Sequence, residues 1–468
     1  MATAKPPSRT APDGGTAPGD GTAPDDGGAT GHSGATGHGS ATGHGSAAEY
    51  DDTTEHGGTT KHGDASATER AAVAAAADRL GLTVGEEIWE GGSPARVHRA
   101  RAADGGEVVL KVLAAHPGAV DGHDLGSFRG KLHQIRHITD HAPKLAARYL
   151  TVLDTIEGDG WAATTTPYLP SEDLGACLRR GDGDEELFFA RNADTLRALL
   201  TDGYGSAAHP TPPGHLDDVH IGRFLRRLPV LEEHLPEVAG QRELVVEGRR
   251  LEAPAPLLRR LLETERDRLD ALAPARLGFP AHGDTNIRNL LFATEGDANT
   301  DVRIIDPRGS TGPWDPVYDI AKILFSLTVW DPMLRLGIRI RRDGPDGGWH
   351  TDFRRPVYPG YRSAAHHYLD RLDATGAPAL FEGDPHWKQR LLLTHALHVL
   401  AEAPCRLSDR KPKPDVGGRH SPPEELALGH YLLGTLLLND LAAQWSEGAA
   451  DLDTDRHLAV VTGGPPPP

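Results

Sequence analysis

The sequence predicts an α+β fold in which a small, mostly-β N-terminal part precedes a larger helical part. Strand-like apolar runs separated by turn residues fill the region between residues 82 and 168. From about residue 174 onward, helical periodicity dominates. Both ends of the chain have a low-complexity composition, which predicts tails outside the folded part.

The composition limits the classes of function. The chain has 468 residues and a formal net charge of −18, from 67 acidic and 49 basic residues. A general nucleic-acid binder needs a basic face for phosphates, so we expect no nucleic-acid partner. The only cysteines are Cys177 and Cys405, which excludes a disulfide framework and predicts a reducing, cytoplasmic location. The N-terminus shows no apolar signal-peptide core.

The most apolar late segment is the run at residues 426–445, which contains His430, Asn439 and Asp440. These polar groups predict a buried core helix rather than a membrane-spanning one, so we expect no membrane partner. The oligomeric state is left open.

Residues 1–66 contain no Val, Ile, Leu, Phe or Trp. Such a segment cannot bury enough apolar surface to offset the entropy of ordering it, which predicts a disordered tail. The hexads ATGHSG, ATGHGS and ATGHGS repeat in tandem over residues 29–46. They leave open a weak metal-binding tract through His32, His38 and His44, although no rigid frame would fix these ligands.

The N-terminal folded part is predicted over residues 67–168. The capping-box pattern SATE starts a helix at Ser66 that stops near Gly81. Three strands, a helix and two further strands follow in chain order. They are predicted at residues 86–90, 95–102, 107–113, 125–140, 148–157 and 160–169. Pro167 and Pro170 then end the β pattern.

The C-terminal part is predicted over residues 169–447, followed by a disordered tail at residues 448–468 that ends in GGPPPP. Helices and loops fill this part, with one β-hairpin. The hairpin strands are the apolar runs NLLFA at residues 289–293 and DVRIID at residues 301–306, joined by the turn-rich TEGDANT.

Polar side chains flank this hairpin at positions where packing does not require them. Asp284 and Asn289 lie before its first apolar run, and Asp306 ends its second strand. Turning back through a hairpin brings Asp306 beside Asn289. Oxygen ligands from Asp and Asn suit Mg²⁺, which also holds phosphate oxygens. Asp284, free of the metal, can orient a hydroxyl and accept its proton, so the three residues predict phosphoryl transfer.

The motif HGDTNIRN resembles the catalytic loop of aminoglycoside phosphotransferase-like small-molecule kinases, and IIDPRGSTGPWDPVYDIAKIL is similar to that family's next block. The resemblance implies a two-lobed, protein-kinase-like fold with a small, mostly-β N-lobe and a larger helical C-lobe. It implies that Asp284 is the catalytic base and that Asn289 and Asp306 bind Mg²⁺. It also implies that Asp319 braces the catalytic loop through backbone amides, and that His282 packs and hydrogen-bonds there.

The N-lobe would then bind ATP. Lys111 lies mid-strand in the run VVLKVL, where it is either solvent-facing or the lysine that grips the α- and β-phosphates. The catalytic loop downstream favours the second reading. The stretch EGGSPARVHRA lies between two strands, as a phosphate-covering loop does. The predicted nucleotide-binding residues are Lys111, Gly91, Gly92, Ser93, Thr166 and Tyr168, the last two through backbone groups of the hinge between the lobes.

One feature departs from the family pattern. The family's lysine pairs with a Glu from the helix of the small lobe, and no Glu occurs between Lys111 and Glu157. Asp124 and Gln134 lie in the right region to replace it, although Asp has a shorter reach and Gln carries no charge.

The sequence therefore predicts an ATP- and Mg²⁺-dependent phosphotransferase that acts on a hydroxyl of a sugar, amino sugar, aminoglycoside or amino alcohol. The missing Glu leaves open a pseudokinase or nucleotide-binding scaffold. A protein kinase is disfavoured because Asn286, two residues after Asp284, replaces the lysine typical of Ser/Thr kinases. Seven arginines between residues 335 and 362 form either a solvated face or part of an acceptor site for a neutral or anionic molecule.

Overall fold

The computed structural model describes most of the chain from residue 59 to residue 463. The described residues are 59–88, 93–116, 119, 122–181, 183–294, 300–344, 347–352, 358–372, 380–408, 421–448 and 451–463, with side chains from residue 67 onward. They all fall within one compact unit that covers residues 58–468.

The strands and helices of the described residues are numbered here in chain order. The strands are β1 (Thr83–Glu87), β2 (Arg96–Arg101), β3 (Glu107–Ala114), β4 (Asp154–Gly158), β5 (Trp161–Pro167), β6 (Ser171–Asp173), β7 (Ala207–His209), β8 (Glu243–Val246), β9 (Arg249–Glu252), β10 (Leu277–Phe279), β11 (Leu290–Ala293), β12 (Val302–Ile304), β13 (Ile340–Arg342) and β14 (Trp349–Thr351). The helices are α1 (Thr59–Leu80), α2 (Leu125–His141), α3 (Pro143–Ala146), α4 (Ala176–Arg179), α5 (Glu185–Leu196), α6 (Gly222–His234), α7 (Pro236–Ala239), α8 (Pro254–Thr264), α9 (Arg266–Ala271), α10 (Pro316–Phe325), α11 (Asp331–Leu336), α12 (Pro359–Leu372), α13 (Trp387–Ser408), α14 (Pro423–Ser446) and α15 (Thr454–Thr462).

An antiparallel sheet of five strands, in the order β1-β2-β3-β5-β4, forms the N-terminal part. Helix α2 is inserted between β3 and β4, and β3 pairs along its length with both β2 and β5. The predicted series of three strands, a helix and two strands is therefore confirmed. Strand β4 is shorter than its predicted run, because residues 150–153 form no strand.

The two faces of this sheet are covered by different helices. Side chains alternate along β3, so Leu110 and Val112 face one side, and Lys111 and Leu113 face the other. Leu110 and Val112 pack with the alanine-rich face of α1. Leu113 packs instead with Phe128 of α2. Lys111 therefore points to the α2 side of the sheet and not to open solvent.

Helix α1 begins at Thr59, so the predicted start at Ser66 and the predicted disorder of residues 59–66 are both wrong. Ser66 and Glu69 lie inside the helix and do not form its N-terminal cap. Once the later turns pack on the sheet, each upstream residue adds a backbone hydrogen bond without a new nucleation cost. The repeated histidines His32, His38 and His44 lie outside the described residues.

The hairpin that carries the predicted site forms as expected. Strands β11 and β12 pair antiparallel, with Leu290 opposite Ile304. The N–H of Ile305 then donates to the carbonyl of Asn289 at 3.1 Å, which places Asp306 next to Asn289. Strand β6 extends the hairpin to three strands by pairing with the other edge of β11.

Helix α10 follows the hairpin and runs through the centre of the helical part. Asp315 caps it by accepting a hydrogen bond from the N–H of Val317 at 3.0 Å, and Pro316 is its first residue. Every residue of α10 is buried, and most of α13 and α14 is buried around it. The segment that joins β12 to α10 is therefore anchored at its end by a buried helix.

The prediction of a single hairpin in the C-terminal part is wrong. A sheet of four strands forms in the order β13-β14-β8-β9, and β7 pairs with β10. Glu247 (φ 52°) and Gly248 (φ 71°) form the two-residue turn between β8 and β9, a conformation typical of tight hairpins. These strands have only three or four residues each, which is too short for alternation to reveal them.

The predicted tail at residues 448–468 is also wrong in part, because α15 lies within it. Asp453 caps this helix through the N–H of Arg456 at 2.9 Å, and Gly463 ends it at φ 79°. Leu458 and Val461 are buried where the helix packs on α12 and α14. Tertiary burial therefore orders a segment whose composition favours a tail.

Among the described residues, α14 is long and apolar enough to cross a membrane. However, 83% of its most apolar window is buried inside the protein. This is the position of a core helix, as the sequence predicts for this run.

Deleting residues 1–58 is expected to leave the melting temperature and nucleotide binding unchanged, because this segment has no Val, Ile, Leu, Phe or Trp with which to dock. Thermal unfolding of the shortened and full chains tests this. The matched control removes residues 1–80, and with them the packing of α1 on the sheet, and should destabilise the protein strongly. A fall in melting temperature of more than about 2 °C for the first deletion would contradict the expectation.

Candidate active site

Asp319 of α10 holds the predicted catalytic loop in place. Its Oδ2 accepts hydrogen bonds from the backbone N–H groups of His282 at 3.1 Å and Gly283 at 3.0 Å, and from the Tyr204 hydroxyl at 2.6 Å. The Thr285 hydroxyl donates to the Asp319 carbonyl at 2.6 Å. The bracing role expected for Asp319 is confirmed. Gly283 has φ 78°, which a residue with a side chain rarely adopts.

His282 ties this loop to the end of β12. Its Nδ1 lies 3.0 Å from the backbone N–H of Asp284 and must accept that hydrogen bond. Its Nε2 therefore carries the proton and donates to the carbonyl of Ile305 at 3.0 Å. Both ring nitrogens are used in positioning, so His282 packs and hydrogen-bonds as expected and is not available as a proton acceptor.

The carboxylate of Asp284, the predicted catalytic base, is partly exposed and held from one side. Its Oδ1 accepts from Asn286 Nδ2 at 2.9 Å and lies 3.3 Å from Lys322 Nζ. Its side chain is 27% exposed, which leaves room for an incoming hydroxyl. Within the described part of the chain no donor contacts Oδ2, so this oxygen can accept a hydrogen bond from an acceptor molecule.

Lys322 is a functional candidate that the sequence reasoning missed. It extends from the buried helix α10, is 3% exposed at its side chain, and lies 3.6 Å from Glu402 Oε2 as well as near Asp284. Burial by itself raises the pKa of Glu402, but Arg406 and Lys322 outweigh burial and hold that pKa well below its ordinary value. The sequence feature that could have indicated Lys322 is a lysine within the apolar run DIAKIL, one helical turn after Asp319.

Asn289 and Asp306, the predicted metal ligands, lie side by side at the base of the hairpin. Asn289 donates from Nδ2 to the carbonyl of Asp284 at 2.8 Å, which leaves its Oδ1 without a partner among the described residues. Asp306 has φ 57°, a strained conformation often found at functional sites. One amide and one carboxylate oxygen suit Mg²⁺ when phosphate oxygens complete the shell. The described chain has no cluster of three or more His, Cys, Asp or Glu side chains that could hold a metal.

Lys111 and Lys131 both contact Asp306. The Nζ atom of each lies 2.8 Å from the same oxygen, Oδ1. Burial by itself raises the pKa of Asp306, but the two ammonium groups outweigh burial and hold that pKa well below its ordinary value. Burial lowers the pKa of Lys111, and Lys131 lowers it further. The structure thus brings Lys111 to the predicted metal residue.

Neither replacement considered for the missing Glu contacts Lys111. Asp124 caps α2, accepting from the backbone N–H of Ser127 at 2.9 Å. Gln134 donates to the carbonyl of Ala281 at 2.7 Å and accepts from the N–H of Ser310 at 2.9 Å. The helix therefore presents Lys131 to this site, whereas Gln134 links α2 to the catalytic loop and to the loop after Asp306.

The structure describes only some of the remaining residues that were predicted to bind the nucleotide. Gly91 and Gly92 lie outside the described residues, and Ser93 lies in the turn before β2. Thr166 lies opposite Val109 in the register of β5 and β3.

The hinge prediction needs a correction at Tyr168. Its backbone N–H donates to the carbonyl of Glu107 at 3.1 Å and so is not free for an adenine ring. The ring of Tyr168 also lies 4.2 Å from the guanidinium of Arg99. A nucleotide contact at Tyr168 would therefore involve its carbonyl or its side chain.

Two arginines in the described part of the arginine-rich stretch, Arg335 and Arg342, contact other side chains of the fold. Arg335 is 14% exposed at its side chain and pairs with Asp331 at 3.0 Å and Asp173 at 3.1 Å. The guanidinium of Arg342 lies 4.8 Å from the ring of Trp349. These described arginines have partners within the fold, so they do not indicate which acceptor is bound.

No family model matches this chain, and no curated protein matches it in sequence. A glucosamine kinase structure is similar to the chain, with 15% identity, a TM-score of 0.35, and coverage of 78% of this chain and 94% of that one. An aminoglycoside-3'-phosphotransferase of type VIII has 18% identity, a TM-score of 0.39, and coverage of 70% and 99%. These neighbours belong to the small-molecule kinase group that the catalytic-loop motif resembles. The likeness is partial at these TM-scores.

Replacing Lys322 with methionine is expected to lower kcat by about tenfold or more with little change in the KM for ATP. The ammonium group contacts Asp284, the carboxylate predicted to bind the acceptor hydroxyl, and none of its contacts is with Asp306. Steady-state kinetics measures kcat and the KM for ATP separately. Lys322→Arg should recover part of kcat.

The same substitution is also expected to reduce stability, since Glu402 loses one of its two cationic partners. The double variant Lys322→Met with Glu402→Gln should recover stability but not kcat. Recovery of both by the double variant would show that Lys322 acts only through folding.

Proposed function

We propose that this protein is an ATP-dependent phosphotransferase with a two-lobed, protein-kinase-like fold that phosphorylates a hydroxyl of a small molecule. The observation that carries the proposal is the arrangement around β11 and β12. A loop braced by Asp319 presents Asp284. Asn289 and Asp306 lie side by side where β11 begins and β12 ends, and Lys111 in the middle of β3 contacts Asp306. These are the parts that phosphoryl transfer needs, namely a positioned carboxylate and a cationic phosphate site.

In the proposed reaction, Asp284 accepts a hydrogen bond from the acceptor hydroxyl and orients its oxygen towards the γ-phosphorus of ATP. Lys322 and Asn286 fix the rotamer of that carboxylate from its other oxygen. The hydroxyl proton passes to Asp284 as the bond from the acceptor oxygen to the γ-phosphorus forms, the bond from that phosphorus to the bridging oxygen of ATP breaks, and ADP leaves. Lys111 neutralises charge on the phosphates. Mg²⁺, when held by Asn289 and Asp306, would neutralise the charge that develops on the β- and γ-phosphate oxygens.

The acceptor is proposed to be a sugar, amino sugar, aminoglycoside or amino alcohol, in the cytoplasm, where ATP and Mg²⁺ are available. The buried thiols of Cys177 and Cys405 are both free, which agrees with a reducing compartment.

A nucleotide-binding protein without turnover is the second candidate. The observation that favours it is the lysine, Lys131, at the position where related kinases place a carboxylate beside Lys111. Against it, the Asp284 carboxylate is held by two donors and has a free oxygen for an acceptor.

The deciding experiment measures ATP consumption by the purified full chain against a panel of sugars, amino sugars, aminoglycosides and amino alcohols. Calorimetric titration with Mg-ATP is run beside it. Turnover with any acceptor supports the kinase. Binding without turnover across the panel supports the second candidate. Absence of Mg-ATP binding would refute both.

A further inference from the structure

Lys131 is the residue of α2 that reaches the predicted nucleotide site, and its position is set by backbone packing. A Cβ atom built on the preceding Gly130 would lie 3.3 Å from the carbonyl oxygen of Gly309, so the helix lies directly against the loop after Asp306. One turn later, Gln134 hydrogen-bonds to the N–H groups of Gly309 and Ser310. The helix is therefore fixed on both sides of Lys131.

The charge around Asp306 is unbalanced. Lys111 and Lys131 share the single acceptor Oδ1 of Asp306, and their side chains are only 22% and 15% exposed. Two cations share this one carboxylate, and Asp284, the other carboxylate that acts on both lysines, already contacts Lys322, so the half-enclosed site carries a net positive charge. A lysine–glutamate pair at the same place, counted together with Asp306, would carry a net negative charge. The two ammonium groups repel each other, and Asp306 is the carboxylate that holds them together when no ligand is bound.

A metal-bound nucleotide changes the partners of these lysines. A cation bound by Asp306 competes with the two ammonium groups for the same carboxylate, so the lysines need new acceptors. Phosphate oxygens are the strong acceptors that an ATP site supplies, and ammonium groups bind them as point charges. Lys131, fixed by α2, can reach the same phosphates as Lys111 because both already contact one atom.

We propose that Lys131 is a second phosphate-binding cation, and that it lets this site hold the ATP triphosphate with less dependence on Mg²⁺ than a lysine–glutamate site has. This inference rests on the proposed nucleotide-binding function. Lys131 would then bind the ligand directly. A Glu on this helix would instead only hold Lys111 in place. Its consequence is a measurable affinity for metal-free ATP.

The test is calorimetric titration of the full chain with ATP and with ADP, each in Mg²⁺ and in a chelator. Lys131→Met should weaken metal-free ATP binding about tenfold or more, because a charge-assisted hydrogen bond is lost. ADP should lose less than ATP, and Lys131→Arg should keep most of the affinity. The matched control is Lys144→Met, which removes the same charge from the exposed helix α3 and should bind as the wild type does.

Lys131→Glu replaces the second cation beside Asp306 with a carboxylate. The new carboxylate should pair with Lys111 and abolish metal-free ATP binding while Mg-ATP binding persists. If Lys131→Met does not fold, Lys131→Gln provides the same neutral side chain with a polar end and is judged by the same criterion. A folded neutral variant that binds metal-free ATP within twofold of wild type would overturn the inference. In that case the wild type still binds Mg-ATP, whereas a wild type that binds no Mg-ATP would refute the proposed nucleotide site itself.

Discussion

Asp284→Asn is expected to lower kcat by about 10² to 10⁴-fold while the Kd for Mg-ATP stays within about twofold of wild type. The amide keeps the shape of the side chain and can still accept from Asn286, but it cannot take the proton of the acceptor hydroxyl. Lys322 keeps its second partner, Glu402, so the loop should remain folded. Single-turnover kinetics and calorimetric titration measure the two quantities separately.

The control for this variant is Asp140→Asn, which neutralises an exposed carboxylate at the end of α2 and should leave both quantities unchanged. An equally severe loss of Mg-ATP affinity in Asp284→Asn would contradict the assignment, because it would place this carboxylate on the nucleotide rather than on the acceptor.

Asp306→Ala is expected to remove the advantage that Mg²⁺ gives to nucleotide binding and to lower kcat by about 10² to 10³-fold. The substitution deletes a proposed metal ligand and also frees Lys111 and Lys131 from their shared acceptor. Affinity for metal-free ATP should therefore stay the same or increase. Without ATP the two ammonium groups face each other unpaired, so the ligand-free variant should unfold at a lower temperature.

Titration of ATP with Mg²⁺ and with a chelator, beside thermal unfolding with and without ATP, tests each part of this expectation. Asp301→Ala serves as the control, since Asp301 is exposed at the far end of β12 and pairs only loosely with Arg148 at 3.7 Å. If Asp306→Ala retains a full Mg²⁺ effect, the metal is held elsewhere.

The sequence was sufficient for features that depend on short chain separations. The spacing of Asp284, Asn289 and Asp306 around one hairpin determined that they meet, because a tight antiparallel pair brings its two ends together. The apolar run VVLKVL also predicted a strand that carries Lys111. The role of Asp319 came from the family resemblance, and its hydrogen bonds to the loop agree with it.

Sequence patterns were weak where an element is short or depends on distant packing. Strands β8, β9, β13 and β14 join segments about a hundred residues apart, with too few residues each to display a period. Helix α15 has few apolar residues, and its burial against α12 and α14 stabilises it. The composition of a segment gives its average polarity. Whether the segment folds depends on the residues that pack against it.

Only the tertiary structure decided which side chains share the site. Lys111 and Asp306 are almost two hundred residues apart, and the contact of α2 with the loop at Gly309 selects Lys131 rather than Asp124 or Gln134 as their neighbour. Lys322 reaches Asp284 because of how α10 is rotated in the core. A sequence lists the residues on each helix, but the rotation and depth of that helix are set by packing along its whole length. The catalytic loop could therefore be recognised from local spacing, whereas its cationic partners required the folded chain.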